Sequence, residues 1–171
     1  MLPDYTKITT FIFDVDGVLS DGTVIAYADG EQPRSFLVKD GYAVEKAVQK
    51  GYHVAIISGG FQEGVRKRLA FLGVQHIFLG IKDKIAVFHQ FLADNQIQAE
   101  EVLYMGDDLP DYDVMQLCGI ATCPADATQE IIDISQYVSP KEGGKGAVRD
   151  VIEKVMRSQD KWVISNNHAN G

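Results

Sequence analysis

The chain has 171 residues and a formal net charge of −8, with 46% hydrophobic and 23% charged residues. That is enough chain for one full hydrophobic core, an ordinary soluble composition, and no basic footprint for nonspecific nucleic-acid binding. No run approaches the ~18 apolar residues of a membrane span, and the opening Met1-Leu2-Pro3-Asp4-Tyr5 lacks the basic and apolar stretches of a secretion leader, so the expectation is a cytoplasmic protein.

Residues 1–8 read as a lead-in to a first strand from about Thr9 to Val15. The apolar run Thr10 to Phe13 ends in two carboxylates, Asp14 and Asp16, one residue apart. Side chains along a strand alternate with a period of two, so both carboxylates leave the strand end in about the same direction. At that spacing they repel unless a cation sits between them. Gly17 allows a sharp turn or a close approach to a ligand.

Two β-rich runs, Gly22 to Ala28 and Arg34 to Lys39, flank Asp29-Gly30 and predict a β-hairpin with a loop longer than two residues. Its first arm is apolar on both faces, with Val24 and Ala26 on one and Ile25 and Tyr27 on the other. An exposed hairpin is apolar on one face only, so a second subunit is expected to cover the other.

Asp40-Gly41 opens a helix that Gly51 ends, and Tyr52 to Ile57 is a core strand running into Ser58-Gly59-Gly60. Phe61, Val65, Leu69 and Leu72 then recur at helical spacing until Gly73. Val74 to Leu79 is a third strand, and Asp83 caps a helix with Ile85, Phe88 and Leu92 inward. Val102 to Met105 is a fourth strand running into Gly106-Asp107-Asp108-Leu109-Pro110-Asp111. A helix over about Tyr112 to Leu117, a strand from Gly119 to Thr122, a helix from Ala127 to Ile134 and a short strand at Tyr137-Val138 follow. Gly143-Gly144-Lys145-Gly146 precedes a last helix with Val148, Val151, Ile152 and Val155 inward. Cys118 and Cys123, a lone C-x4-C, read as small core residues. One domain is expected over residues 1–165, with 166–171 as a loose tail.

Strands alternating with helices predict an α/β fold: a Rossmann-like parallel sheet with helices on both faces. The ends of strands one, two and four then share a rim. On it lie Asp14 with Asp16, Ser58, Lys84 at a helix start, and Asp107 with Asp108. Singly, each has a plain reading: a turn for Ser58-Gly59-Gly60, a solvated lysine for Lys84, a helix cap for Asp107-Asp108. Jointly they form a chemical set. Carboxylates suit Mg²⁺, a hard ion, and an amine and a hydroxyl beside them suit phosphoryl oxygens. One carboxylate can attack phosphorus while another moves a proton.

Asp14-Val15-Asp16-Gly17, Ser58, Lys84 and Gly106-Asp107-Asp108-Leu109-Pro110-Asp111 resemble, in order and spacing, the four motifs of the haloacid dehalogenase superfamily of phosphatases. The resemblance implies Asp14 as nucleophile, Asp16 as general acid/base, Ser58 as phosphate donor and Lys84 as charge partner. It implies Asp14, Asp107 and the backbone carbonyl of Asp16 as Mg²⁺ ligands, with Asp108 and Asp111 in support. Too few residues separate the motifs for a cap domain. Asp14 to Gly22, Pro124-Ala125-Asp126-Ala127 and Gly143 to Arg149 are similar to capless members that hydrolyse 3-deoxy-D-manno-octulosonate 8-phosphate, a lipopolysaccharide precursor. In those members four subunits assemble, and the hairpin helps close neighbouring sites.

By the same resemblance the glycine-rich stretch, with Gly144 and Lys145, presents backbone N–H groups to an anion, and Ser58 and Gly59 meet the substrate. Many members carry Arg where this chain has Gly60, and a sister group takes a nine-carbon sialic-acid-like phosphate, which leaves the sugar length open. Arg66, Arg68, Lys145 and Arg149 are candidates for the substrate carboxylate. A receiver-type phosphoacceptor lacks a counterpart of Asp16, and a noncatalytic oligomerisation domain does not require the full set of Asp14, Asp16, Lys84 and Asp107.

Overall fold

In the computed structural model, which describes residues 3–164, six strands form one sheet in the order β3-β2-β1-β4-β5-β6, every pair parallel. The strands are β1 (Thr10–Phe13), β2 (His53–Ile57), β3 (His76–Phe78), β4 (Val102–Met105), β5 (Ile120–Cys123) and β6 (Tyr137–Val138). Both neighbours of β1 align with it residue for residue: Phe13 lies opposite Ile56 on one side and Met105 on the other. The four central strands β1, β2, β4 and β5 are almost wholly buried, which is why they read as unbroken apolar runs.

Helices α1 (Val38–Gln49), α2 (Glu63–Phe71) and α6 (Ala147–Ser158) cover one face. Helices α3 (Lys84–Asn95), α4 (Tyr112–Met115) and α5 (Gln129–Ile134) cover the other. The inward residues expected of α6 (Val148, Val151, Ile152, Val155) are fully buried, as is Phe88 of α3. Phe61, expected to start the buried face of α2, instead precedes that helix and is exposed. Cys123 is buried and Cys118 half-buried, both free. The expected tail, 166–171, lies outside the described residues.

The predicted hairpin is the one expected element without a counterpart among the described residues. Between the loop after β1 and α1 the chain makes an extended excursion without strands. It reverses where Asp29-Gly30 predicts, closed by Gly30 N–H to Tyr27 O and Tyr27 N–H to Glu31 O. Val24, Ile25 and Tyr27 are exposed. With neither face of the first arm packed against the chain, nothing aligns the two arms into a ladder.

The order 3-2-1-4-5-6 reverses direction between β1 and β4, and open parallel sheets bind ligands beyond the strand ends at such a point.

Candidate active site at the β1/β4 switch point

Asp14 follows β1 at that point. Its backbone N–H donates to Met105 O, which ties it to the end of β4. Its Oδ1 accepts from Val15 N at 2.6 Å, and its Oδ2 lies 2.9 Å from Lys84 Nζ. The turn that follows puts Gly17 at φ +82°, and a side chain there would run into the Asp107 carboxylate. Only glycine lets the first acidic loop pass this close to the second.

Asp111 organises the floor. Its Oδ1 accepts from Lys84 Nζ and Tyr104 Oη, both at 2.7 Å, and its Oδ2 faces Asp107 N–H at 3.4 Å. It is fully buried. Gly106 makes this possible, because a β-carbon there would overlap the Asp111 side chain. Lys84, the first residue of α3 after the Asp83 cap, is brought in by the preceding loop. That loop is stitched to the Ser58-Gly59-Gly60 turn by Ile81 N–H to Ser58 O and Gly80 N–H to Gly60 O. Ser58 is buried, and its Oγ accepts from Gly60 N, leaving the hydroxyl proton free.

These groups line one open cavity of ≈ 550 Å³ that includes Asp14, Asp16, Ser58, Lys84, Asp107 and Asp111. Ligand atoms of Asp14, Asp107 and Asp111 lie within 4.8 Å of one another. Burial, and then the charge of Asp111, push the Asp14 carboxyl up from 3.8 to about 7 against the pull of Lys84. Burial and the charges of Asp14, Asp111 and Asp108 push Asp107 up to about 8. Burial works against the Lys84 ammonium, but Asp14 and Asp111 outweigh it and raise its pKa. One lysine against three clustered carboxylates leaves excess negative charge, and an all-oxygen donor set of this kind fits a hard divalent cation. Asp14 and Asp107 have oxygens to offer it. Asp14 keeps its side chain 11% exposed toward the cavity, whereas the Asp111 side chain is 1% exposed and its Oδ1 already accepts from both Lys84 and Tyr104, so Asp111 supports rather than ligates.

The remaining sequence candidates lie elsewhere in this chain. Arg66 donates to Ile77 O and pairs with Glu63. Lys145 pairs with Glu142 on the surface. Arg149 pairs with Glu153 and packs near Tyr42 and Trp162. Three of the four amides of the glycine-rich stretch are already used: Gly143 N–H donates to Asp126, Gly144 N–H to Val18 O, and Lys145 N–H to Glu142 O. Gly143 and Gly144 pack against the backbone at Gly17 and Ser20–Asp21, so the stretch buttresses the first acidic loop.

One residue went unread in the sequence. Arg34, on the excursion, grips both oxygens of Asp16, Nε to Oδ1 at 2.9 Å and Nη2 to Oδ2 at 3.0 Å. Its only sequence signal is that it is the single cation between Gly22 and Leu37.

Comparison with known proteins agrees with this geometry. Residues 76–152 match the haloacid dehalogenase-like hydrolase family. The chain is 39% identical over 155 residues to the 3-deoxy-D-manno-octulosonate 8-phosphate phosphatase of Yersinia pestis, covering 91% of this chain and 83% of that one. The same enzyme of Escherichia coli K12 is 40% identical over 91% of this chain and 82% of its own. The Yersinia pestis crystal structure superposes with a TM-score of 0.90 at 38% identity, covering 92% and 85% of the two chains. A Moraxella catarrhalis phosphatase solved with magnesium, phosphate and the sugar acid KDO gives 0.89 at 33% identity, covering 92% and 91%. The chain therefore belongs to the haloacid dehalogenase-like hydrolases, within the 3-deoxy-D-manno-octulosonate 8-phosphate phosphatase family, and is a phosphatase.

Proposed function

We propose that this phosphatase hydrolyses 3-deoxy-D-manno-octulosonate 8-phosphate to the free sugar acid and phosphate, in the cytoplasm, as a step toward lipopolysaccharide. The observation that carries this reading is the Asp14 carboxylate, held by Lys84 beside Asp107 at the switch point. Identity near 40% to relatives named for that substrate supports the choice of sugar.

Asp14 and Asp107 would hold Mg²⁺, which supplies positive charge to offset the meeting of an anionic nucleophile and an anionic phosphate. Ser58 Oγ–H and Gly59 would donate to the phosphoryl oxygens, and Lys84 would neutralise them. Asp14 attacks phosphorus; its O–P bond forms as the bond from phosphorus to the sugar oxygen breaks. Asp16 gives its proton to that oxygen. Water then attacks the aspartyl-phosphate and Asp16 takes the proton from it. The Asp14 O–P bond breaks, leaving phosphate and the starting carboxylate. A single domain over residues 1–165 carries all of these groups.

A homotetramer completes the reading. Val24, Ile25 and Tyr27, exposed together on the excursion, are the surface that a neighbouring subunit would cover. Arg66, Gly144 and Lys145 do not line their own chain's cavity and would meet substrate across such an interface.

The test is phosphate release from the eight-carbon and nine-carbon keto-acid phosphates side by side, with Mg²⁺ and with chelator. Mg²⁺-dependent turnover favouring the eight-carbon ester is expected. Preference for the nine-carbon ester would move the assignment to the sister activity.

A further inference from the structure

Asp16 is committed on both oxygens to Arg34, so it cannot serve a leaving group until that pair opens. The pair is not a chance surface contact. The Arg34 side chain is 5% exposed, and its Nη1 donates to Gln32 O, which fixes the plane of the guanidinium. A fork so fixed matches a planar oxyanion with two parallel hydrogen bonds, so a second carboxylate can take the place of Asp16.

Arg34 also lines a second cavity of ≈ 390 Å³ between the excursion and α2, with Gln32, Phe36, Gln62, Val65 and a second arginine, Arg68. Asp16 and Gly60 line the first cavity. Gly60 separates the two: a β-carbon there would lie 3.6 Å from Asp16 Oδ2 and 3.0 Å from Gln62 Oε1. With no side chain at 60, the space over the Asp16–Arg34 pair stays open to a ligand seated at Asp14. Of the other cations nearby, none pairs with Asp16. Lys84 is bound to Asp14 and Asp111, Lys82 is exposed on the rim, and Arg68 turns its head toward Gly41 of α1.

We propose that Arg34 is the specificity-determining cation of this site: it reads the carboxylate of an acidic phosphomonoester, exchanging Asp16 for the substrate and thereby freeing Asp16 to face the leaving oxygen. This rests on the phosphatase reading above and deepens it. It makes the acidity of the substrate, and not only its phosphate, a condition for assembling the reactive arrangement. It also gives the excursion a function within its own chain, as the arm that carries the reader.

The experiment measures kcat and KM for two pairs that differ only in the carboxylate. One pair is 3-deoxy-D-manno-octulosonate 8-phosphate and its C1 methyl ester; the other is 6-phosphogluconate and glucitol 6-phosphate. Wild type should favour the acid of each pair by about tenfold or more in kcat/KM, as expected for a lost charge-assisted bidentate contact. Arg34→Ala should bring the acid-to-neutral ratio to within about twofold of unity, whatever happens to both rates together. Arg34→Lys should keep part of the ratio, as a point charge without the fork. A wild-type ratio retained in Arg34→Ala, or no preference in wild type, overturns the proposal while leaving the phosphatase reading intact. Turnover of 6-phosphogluconate but not of the eight-carbon ester overturns the substrate assignment, and the second pair still decides the role of Arg34. No turnover of any ester overturns both.

Discussion

Lys84 Nζ lies 2.9 Å from Asp14 Oδ2, and the two are buried together although they come from distant parts of the chain. The lysine stands at the first position of α3, where the helix dipole adds to its positive charge. Its second partner, Asp111, fixes where that charge sits.

Removing this cation leaves two buried carboxylates unpaired. Lys84→Met should cost about 3 kcal/mol of stability in the absence of metal, the usual penalty for an orphaned buried charge. It should also lower kcat/KM by on the order of a hundredfold, because developing charge on the phosphoryl group loses a fixed partner. Urea melts and steady-state phosphate release check the two effects separately.

The raised carboxyls predict a pH dependence with a definite sign. Asp14 and Asp107 keep their protons to about 7 and about 8 in the fold, against 3.8 for the ordinary side chain. Between those limits the folded chain binds more protons than the unfolded one. The contribution of these two groups to metal-free stability is therefore full at low pH and is lost as pH rises through about 4 to 8. Mg²⁺ should reverse the loss, so its stabilising shift in Tm should be larger near pH 8 than near pH 5. Thermal melts at both pH values, with chelator and with Mg²⁺, check this; an equal Mg²⁺ shift at both would contradict it.

The parallel sheet was legible because its central strands are short apolar runs with both faces buried. Val102 to Met105 and Tyr137-Val138 stand where the sequence places them. The converging acidic loops were legible because each follows such a run directly. Three features were hidden for one physical reason: they depend on partners far away in the chain. The excursion carries strand-forming residues, but ladder formation requires a packed face that the single chain does not provide. The amides at Gly143 and Gly144 look available for an anion until Asp126 and Val18 O take them. Arg34 pairs with a residue 18 positions earlier, and no local pattern marks it. Likewise Asp111, read as a supporting residue, proves to be the joint acceptor for Lys84 and Tyr104 only once β4 and α3 are side by side.

The exposed apolar excursion carries its own prediction. Tyr27→Asp places a charge where a subunit contact is proposed, so it should shift the protein from tetramer toward smaller species and weaken activity with it. Light scattering combined with phosphate release checks both at once; an intact tetramer with full activity would remove the excursion from the interface.

The central claim is that Asp14 is the group that takes the phosphoryl group. Asp14→Asn keeps the size of the side chain and removes its nucleophilicity. Phosphate release from 3-deoxy-D-manno-octulosonate 8-phosphate in Mg²⁺ should fall by roughly a thousandfold or more, with the melting transition still cooperative. Activity remaining within about tenfold of wild type would contradict the account.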